Sequence, residues 1–140
     1  MKRICSPREE KAMRYYFSKT LAASFDDAIV RVIEALKQEG FGILTEIDVR
    51  AKMQEKLGKE FRNYRILGAC NPPFAWQALQ IEDKIGTLLP CNVIVQELAP
   101  GEVEVAAIDP AASMLAVGNP ALREIGTQVR AKLQKVVDSL

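Results

Sequence analysis

Two short segments carry the residue types best suited to chemistry. One is Cys70-Asn71-Pro72-Pro73, with Phe74 and Trp76 just behind it, and the other is Pro90-Cys91-Asn92. A thiolate is both a nucleophile and a soft-metal ligand, and side-chain amides orient bound groups by hydrogen bonding. Cys70 falls where a strand gives way to a helix start, and the positive end of a helix dipole favours the thiolate there. If the strands that carry Cys70 and Cys91 are neighbours, the two sulfurs come together. Such a pair suits a reversible disulfide, a soft metal such as Cu(I), or a persulfide. The competing reading is packing, because cysteine is among the most buried residue types. A two-cysteine metal site needs further ligands. Met53 and Met114 offer sulfur, but nothing in their spacing selects them, so no metal site and no cofactor are assigned. Cys5 stands apart from both motifs and is given no role.

Each remaining candidate has a plain structural alternative. Asn71 and Asn92 either cap turns or place a hydrogen bond in a pocket. Trp76 either packs in a core or interface or stacks on a ligand. Arg14, Arg62 and Arg65 lie on or beside strands, where a weak anion site competes with an exposed strand face. Glu102 and Glu104 alternate along a strand and suit solvent better than paired acid catalysis. Asp109 before Pro110 suits a turn. Arg123, Arg130, Lys132 and Lys135 fit the solvated side of the last helix. Gly86 alone makes no phosphate loop.

Composition narrows the chemistry further. The 140 residues include three cysteines and no histidine. The absence of histidine removes the Ser-His-Asp triad, the Cys-His dyad and every His-bearing zinc site. It also removes the commonest general base near neutral pH. No nucleophile-base pair of a conventional hydrolase can be placed, so an enzyme is the less favoured expectation. Nineteen Lys+Arg against eighteen Asp+Glu give a formal net charge of +1. That balance argues against a nucleic-acid partner, which calls for a basic excess. No apolar run reaches the ~18–20 residues of a membrane span, and no secretory leader is recognised, so no membrane association is expected. Three cysteines are not a disulfide framework, and the cytoplasm is the expected location.

The motifs must be positioned by regular elements. Residues 1–12 carry charge without periodicity and are expected to be a disordered extension, with a single domain over residues 13–140. Residues 14–20 suit a strand. Ser24-Phe25-Asp26-Asp27 reads as a capping box, followed by an apolar helical face of Phe25, Ile29, Val32, Ile33 and Leu36. Gly40 is placed to end that helix. Phe41, Ile43, Thr45, Ile47 and Val49 then alternate as a strand with one main buried face. A short helix spans 49–57, and a third strand runs from Phe61 to Ala69. Asn71-Pro72-Pro73 opens a helix that reaches about Asp83. Cys91–Leu98 and the Val103, Val105, Ala107 strand form a hairpin through a type II turn at Pro100-Gly101. Residues 110–118 are a small helix or a loop. Asn119-Pro120 opens a last helix with Leu122, Ile125, Val129, Leu133, Val136 and Leu140 on one face. The order β-α-β-α-β-α-β-β-α, with its antiparallel hairpin, predicts an α+β domain with helices on one face of a sheet of about five strands. Strand order does not follow from these patterns.

The stretch Tyr64-Arg65-Ile66-Leu67-Gly68-Ala69-Cys70-Asn71-Pro72-Pro73, with Ala75 and Leu79, resembles the domain of unknown function 302 family. So do Ile85-Gly86-Thr87-Leu88-Leu89-Pro90-Cys91-Asn92-Val93, Asp109-Pro110 and Met114, and the likeness extends from about Met13 to Leu140. The resemblance implies a small bacterial or archaeal α+β domain that forms homodimers, with no established activity. It implies Cys70, Asn71, Pro72, Pro90, Cys91 and Asn92 as a candidate pocket, to which Trp76 is added from its place on the Pro-Pro helix. Three functional expectations follow. The first is a cytoplasmic homodimeric binding or accessory domain with a small-molecule ligand near Cys70 and Cys91. The second is a thiol redox or sulfur-handling protein using that pair. The third is a structural interaction module, with the last helix or a sheet edge as the dimer face.

Overall fold

Along one strand Val103, Val105 and Ala107 are buried while Glu104, Ala106 and Ile108 are only partly so. That period of two means one sheet face carries helices and the other does not. The computed structural model describes residues 14–140. The expected extension at 1–12, and Cys5 within it, lie outside the described residues. The elements in order are β1 (Tyr16–Leu21), α1 (Phe25–Gln38), β2 (Gly42–Asp48), α2 (Val49–Leu57) and β3 (Tyr64–Cys70). They continue with α3 (Pro72–Ile81), β4 (Cys91–Ala99), β5 (Glu102–Ile108), α4 (Pro110–Met114) and α5 (Pro120–Asp138). The five strands form one antiparallel sheet in the order β1-β5-β4-β3-β2. The α+β class, the strand number and the one-sided helix layer are as the sequence predicts.

The predicted caps mostly form. Ser24 accepts a hydrogen bond from the Asp27 amide, and Asn119 accepts one from the Ala121 amide. Asp109 caps α4 by accepting from Ala111 and also pairs with Arg130 Nε at 3.1 Å, tying α4 to α5. The turn at Pro100-Gly101 puts Gly101 at φ +78, as a type II turn requires. The largest buried side chains include Leu36 on α1, Leu67 on β3 and Leu122 and Leu133 on α5. They pack against Val93, Val95, Val103 and Val105 in one core.

The single buried face expected for β2 is not found. β2 is an edge strand and its register shifts between Ile43 and Thr45. Ile43 pairs with core-facing Ala69, whereas Thr45 and Ile47 pair with Gly68 and Ile66 on the open side. An extra residue in one strand, here Leu44, reverses the sense of alternation beyond it. Leu44 and Ile47 are accordingly exposed.

Candidate functional site

A cavity of about 330 Å³ opens where β3 and β4 end against the helices. Its walls come from most of the layer. The end of β3 supplies Ala69, Cys70 and Asn71, and α3 supplies Phe74, Ala75, Ala78 and Leu79. Leu89, Pro90 and Cys91 approach from the next strand, across a cis Leu89–Pro90 peptide. Pro110, Met114, Ile125 and Val129 form the side built by α4 and α5, and Phe41 and Leu44 complete it. Small residues make the space: Ala69, Ala75 and Ala78 stand where larger side chains would fill it.

Four of the seven candidate residues meet on this cavity: Cys70, Asn71, Pro90 and Cys91. Three do not. Pro72 is exposed on the first turn of α3, Trp76 is 67% exposed on its outer side, and neither lines the cavity. Asn92 follows Cys91 on β4 and so faces the other side of the sheet. There it borders a groove with Tyr16, Tyr64, Gln96 and Glu104. The contributions of Phe41, Met114, Ile125 and Val129 are not signalled by any motif, because they are brought in only by tertiary packing. The α3 residues had a faint signal, since 74, 75, 78 and 79 share one helical face.

Asn71 does not cap α3, contrary to expectation. Pro72 and Pro73 have no N–H to give it, and the Phe74 and Ala75 amides both donate to the Asn71 backbone carbonyl. The side chain turns instead to the end of α1, where its Nδ2 donates to the Glu39 carbonyl at 3.1 Å. It is 9% exposed. Asn71 therefore fastens the α3 start to the α1 end beside the cavity.

Cys70 and Cys91 are free thiols and form no disulfide. Cys91 is the register partner of Ala69, one residue before Cys70, so the two cysteines are offset across the ladder. Burial, and secondarily the neighbouring Cys70, push the Cys91 thiol from an ordinary 9.0 to about 11. Burial also pushes Cys70 up. Desolvation thus overrides the thiolate-favouring effect expected of a helix N-terminus, and the close reactive pair expected from the motifs is not formed. Both groups are neutral at pH 7. The sign for stability follows directly. The folded chain holds the Cys91 proton more tightly than the unfolded chain, so this contribution is full below pH 9 and is lost as pH rises from 9 toward 11. Mass-mapped iodoacetamide labelling is expected to leave Cys91 intact at pH 7.5 in folded protein and to modify it steeply above pH 10. Rapid labelling at pH 7.5 would contradict the buried neutral thiol.

The arginines do not converge. Arg65 lies on the helix side and pairs with Glu46 at 2.6 Å and Asp48 at 3.8 Å. Arg62 bonds Gln96, and Arg14 stacks on Tyr16. Among the described residues no cluster of three or more Cys, Asp or Glu side chains is placed to hold a metal ion. Met114 reaches the cavity, whereas α2, which carries Met53, buries no residue. No described helix is long and apolar enough to cross a membrane.

Comparison with known proteins places these features in a family. A comparison with curated proteins finds no match. The crystal structure of an uncharacterized conserved DUF302 protein from Bacillus stearothermophilus is similar, with a TM-score of 0.82 and 32% sequence identity. The likeness covers 91% of this chain and 98% of that one. Residues 17–140 match the family model described as a domain of unknown function, DUF302. Matched by the family model over residues 17–140 and similar in fold and sequence to that solved relative along nearly its whole length, the chain belongs to the DUF302 family.

Proposed function

We propose that the chain is a non-enzymatic binding domain that holds a small molecule in the cavity at Cys70 and Cys91 and works as a homodimer in the cytoplasm. The observation that carries the first half is the cavity itself. It is an open cleft of about 330 Å³ lined almost wholly by apolar side chains, the make-up expected of a small-molecule site. It falls within the ~300–1,000 Å³ range of small-molecule sites. Raised thiol pKa values support binding over thiol chemistry. The test uses the neutral fluorophore N-phenyl-1-naphthylamine. Saturable fluorescence enhancement is expected, and Ala75→Trp, which places an indole in the cavity from a half-buried position, is expected to abolish it. An enhancement that survives in the folded variant would remove the cavity as the site.

The homodimer is supported by the helix-free sheet face. Its central row runs Ile47, Ile66, Ile94, Ala106 across four strands. Tyr16, Tyr64 and Ile108 lie in the adjoining rows on the same face, and Arg62 and Glu104 bring opposite charges to one flank. A self-complementary contact needs an apolar centre with a rim whose charges pair across the two-fold axis. A second copy of the chain meets both conditions. The last helix, one of the two faces expected from sequence, is a poorer surface because its apolar side is spent on the core. Light scattering at micromolar concentration is expected to give twice the chain mass, and Ile94→Lys the single mass. A monomeric wild-type chain would end this half of the proposal.

A further inference from the structure

The cavity's chemistry restricts what it can hold, and this inference rests on the binding reading above. Among the described residues that line it, none is charged, and both thiols are neutral at pH 7. A helix N-terminus usually offers unpaired N–H groups to an anion. The α3 start does not, because Pro72 and Pro73 lack the donor and the Phe74 and Ala75 amides are spent on the Asn71 carbonyl. A carboxylate or ammonium ligand would therefore lose its hydration and find no compensating charge.

One polar group is left over. The Glu39 carbonyl can only accept, which fixes the Asn71 amide with its Nδ2 toward Glu39. Asn71 lines the cavity, its Oδ1 is left as an acceptor, and no described residue donates to it. Oδ1 is not sealed from solvent, since Arg65 Nε is the one buried side-chain polar atom without a partner among the described residues, so a donor brought by a ligand takes the place of water there. We infer that the ligand is a compact, uncharged, largely apolar molecule with one hydroxyl or N–H donor, which it gives to Asn71 Oδ1.

Four aromatic probes of one shape separate the possibilities by isothermal titration calorimetry on the full chain at pH 7. They are 1-naphthol, naphthalene, 1-methoxynaphthalene and 1-naphthoate. Naphthol is expected to bind about 3- to 10-fold more tightly than naphthalene or methoxynaphthalene, the worth of one net hydrogen bond. Naphthoate is expected to bind at least about 10-fold more weakly than naphthol. In Asn71→Ala the advantage of naphthol over naphthalene is expected to disappear, with naphthalene affinity kept. The methoxy comparison needs no variant, so it decides the matter even if Asn71→Ala does not fold. Methoxynaphthalene matching naphthol, or naphthoate matching or exceeding it, would overturn the ligand class while leaving the cavity as a site. If no probe binds, or if naphthol still binds to folded Ala75→Trp, the cavity reading itself fails and takes this inference with it.

Discussion

Replacing Gly68 by alanine is expected to destabilise the fold by about 1–3 kcal/mol, and Gly68→Val by more. Gly68 sits in the middle of β3 between Ile66 and Cys70, paired with Asn92 on β4 and Thr45 on β2. A Cβ built there would overlap Thr45 Oγ1 and lie 2.7 Å from Pro90 Cγ. These two neighbours differ in how they can respond. Thr45 is on an exposed edge strand and its hydroxyl can rotate away. Pro90 is a closed ring held between the 3₁₀ turn at Ile85–Leu88 and β4, so the main cost falls on it. Thr45→Ala in the Gly68→Ala background should thus recover only a minor part of the loss, measured as a denaturation midpoint. Pro90 also lines the cavity, so the same substitution should weaken binding of the neutral fluorophore even where the protein remains folded. Full recovery of stability by Thr45→Ala would show that the proline contact is not the constraint.

That glycine illustrates what the sequence could and could not convey. Leu67-Gly68-Ala69-Cys70 was legible as a strand end within a motif, and strand alternation correctly separated Val103, Val105 and Ala107 from their neighbours. What alternation could not foresee was a change of phase. Leu44 takes up one residue in β2, and Ile43 and Ile47, which share a face on paper, end on opposite sides. Nor could the motif show that its two prolines deprive Asn71 of the amides it would cap, leaving the side chain to bridge to Glu39 thirty-two residues earlier. The site divides in the same way. Its cysteines and Pro90 were visible because they are adjacent in sequence to marked turns. Phe41, Met114, Ile125 and Val129 belong to segments whose approach depends on the β1-β5-β4-β3-β2 order, which no local pattern encodes.

The absence of histidine acquires a more definite meaning beside this cavity. As composition it only removed enzyme classes. In the fold, the residues that remain at the site are neutral thiols, a carbonyl oxygen and hydrocarbon. None of these supplies a base near neutral pH, whereas together they make a largely apolar surface with one acceptor. On the binding reading proposed above, this lining suits an uncharged guest.

Truncating Leu133 to alanine is expected to cost about 2–5 kcal/mol, the largest loss expected of any single change considered. Leu133 is fully buried in α5, the element that contacts α1, α3 and α4 as well as β1 and β5. Because α5 meets so many partners, no single neighbour can move in to fill the space, and the cavity term adds to the lost transfer energy. At roughly 4 °C per kcal/mol for a chain of this size, a 3 kcal/mol loss lowers the thermal midpoint by about 12 °C. Leu133 does not line the ligand cavity, whose α5 wall is Ile125 and Val129, about two turns and one turn earlier. Val129 is the neighbour of Leu133 one turn away on the same buried face, so affinity for the neutral fluorophore at 15 °C should fall by about fivefold, much less than the loss of stability. Saturating ligand at about 100 times its dissociation constant should then restore about 2.7 kcal/mol to the variant, as it would add to the wild type. A loss of affinity in step with the loss of stability would mean that the cavity exists only when the whole helix layer is tight, and that core and site are one cooperative unit.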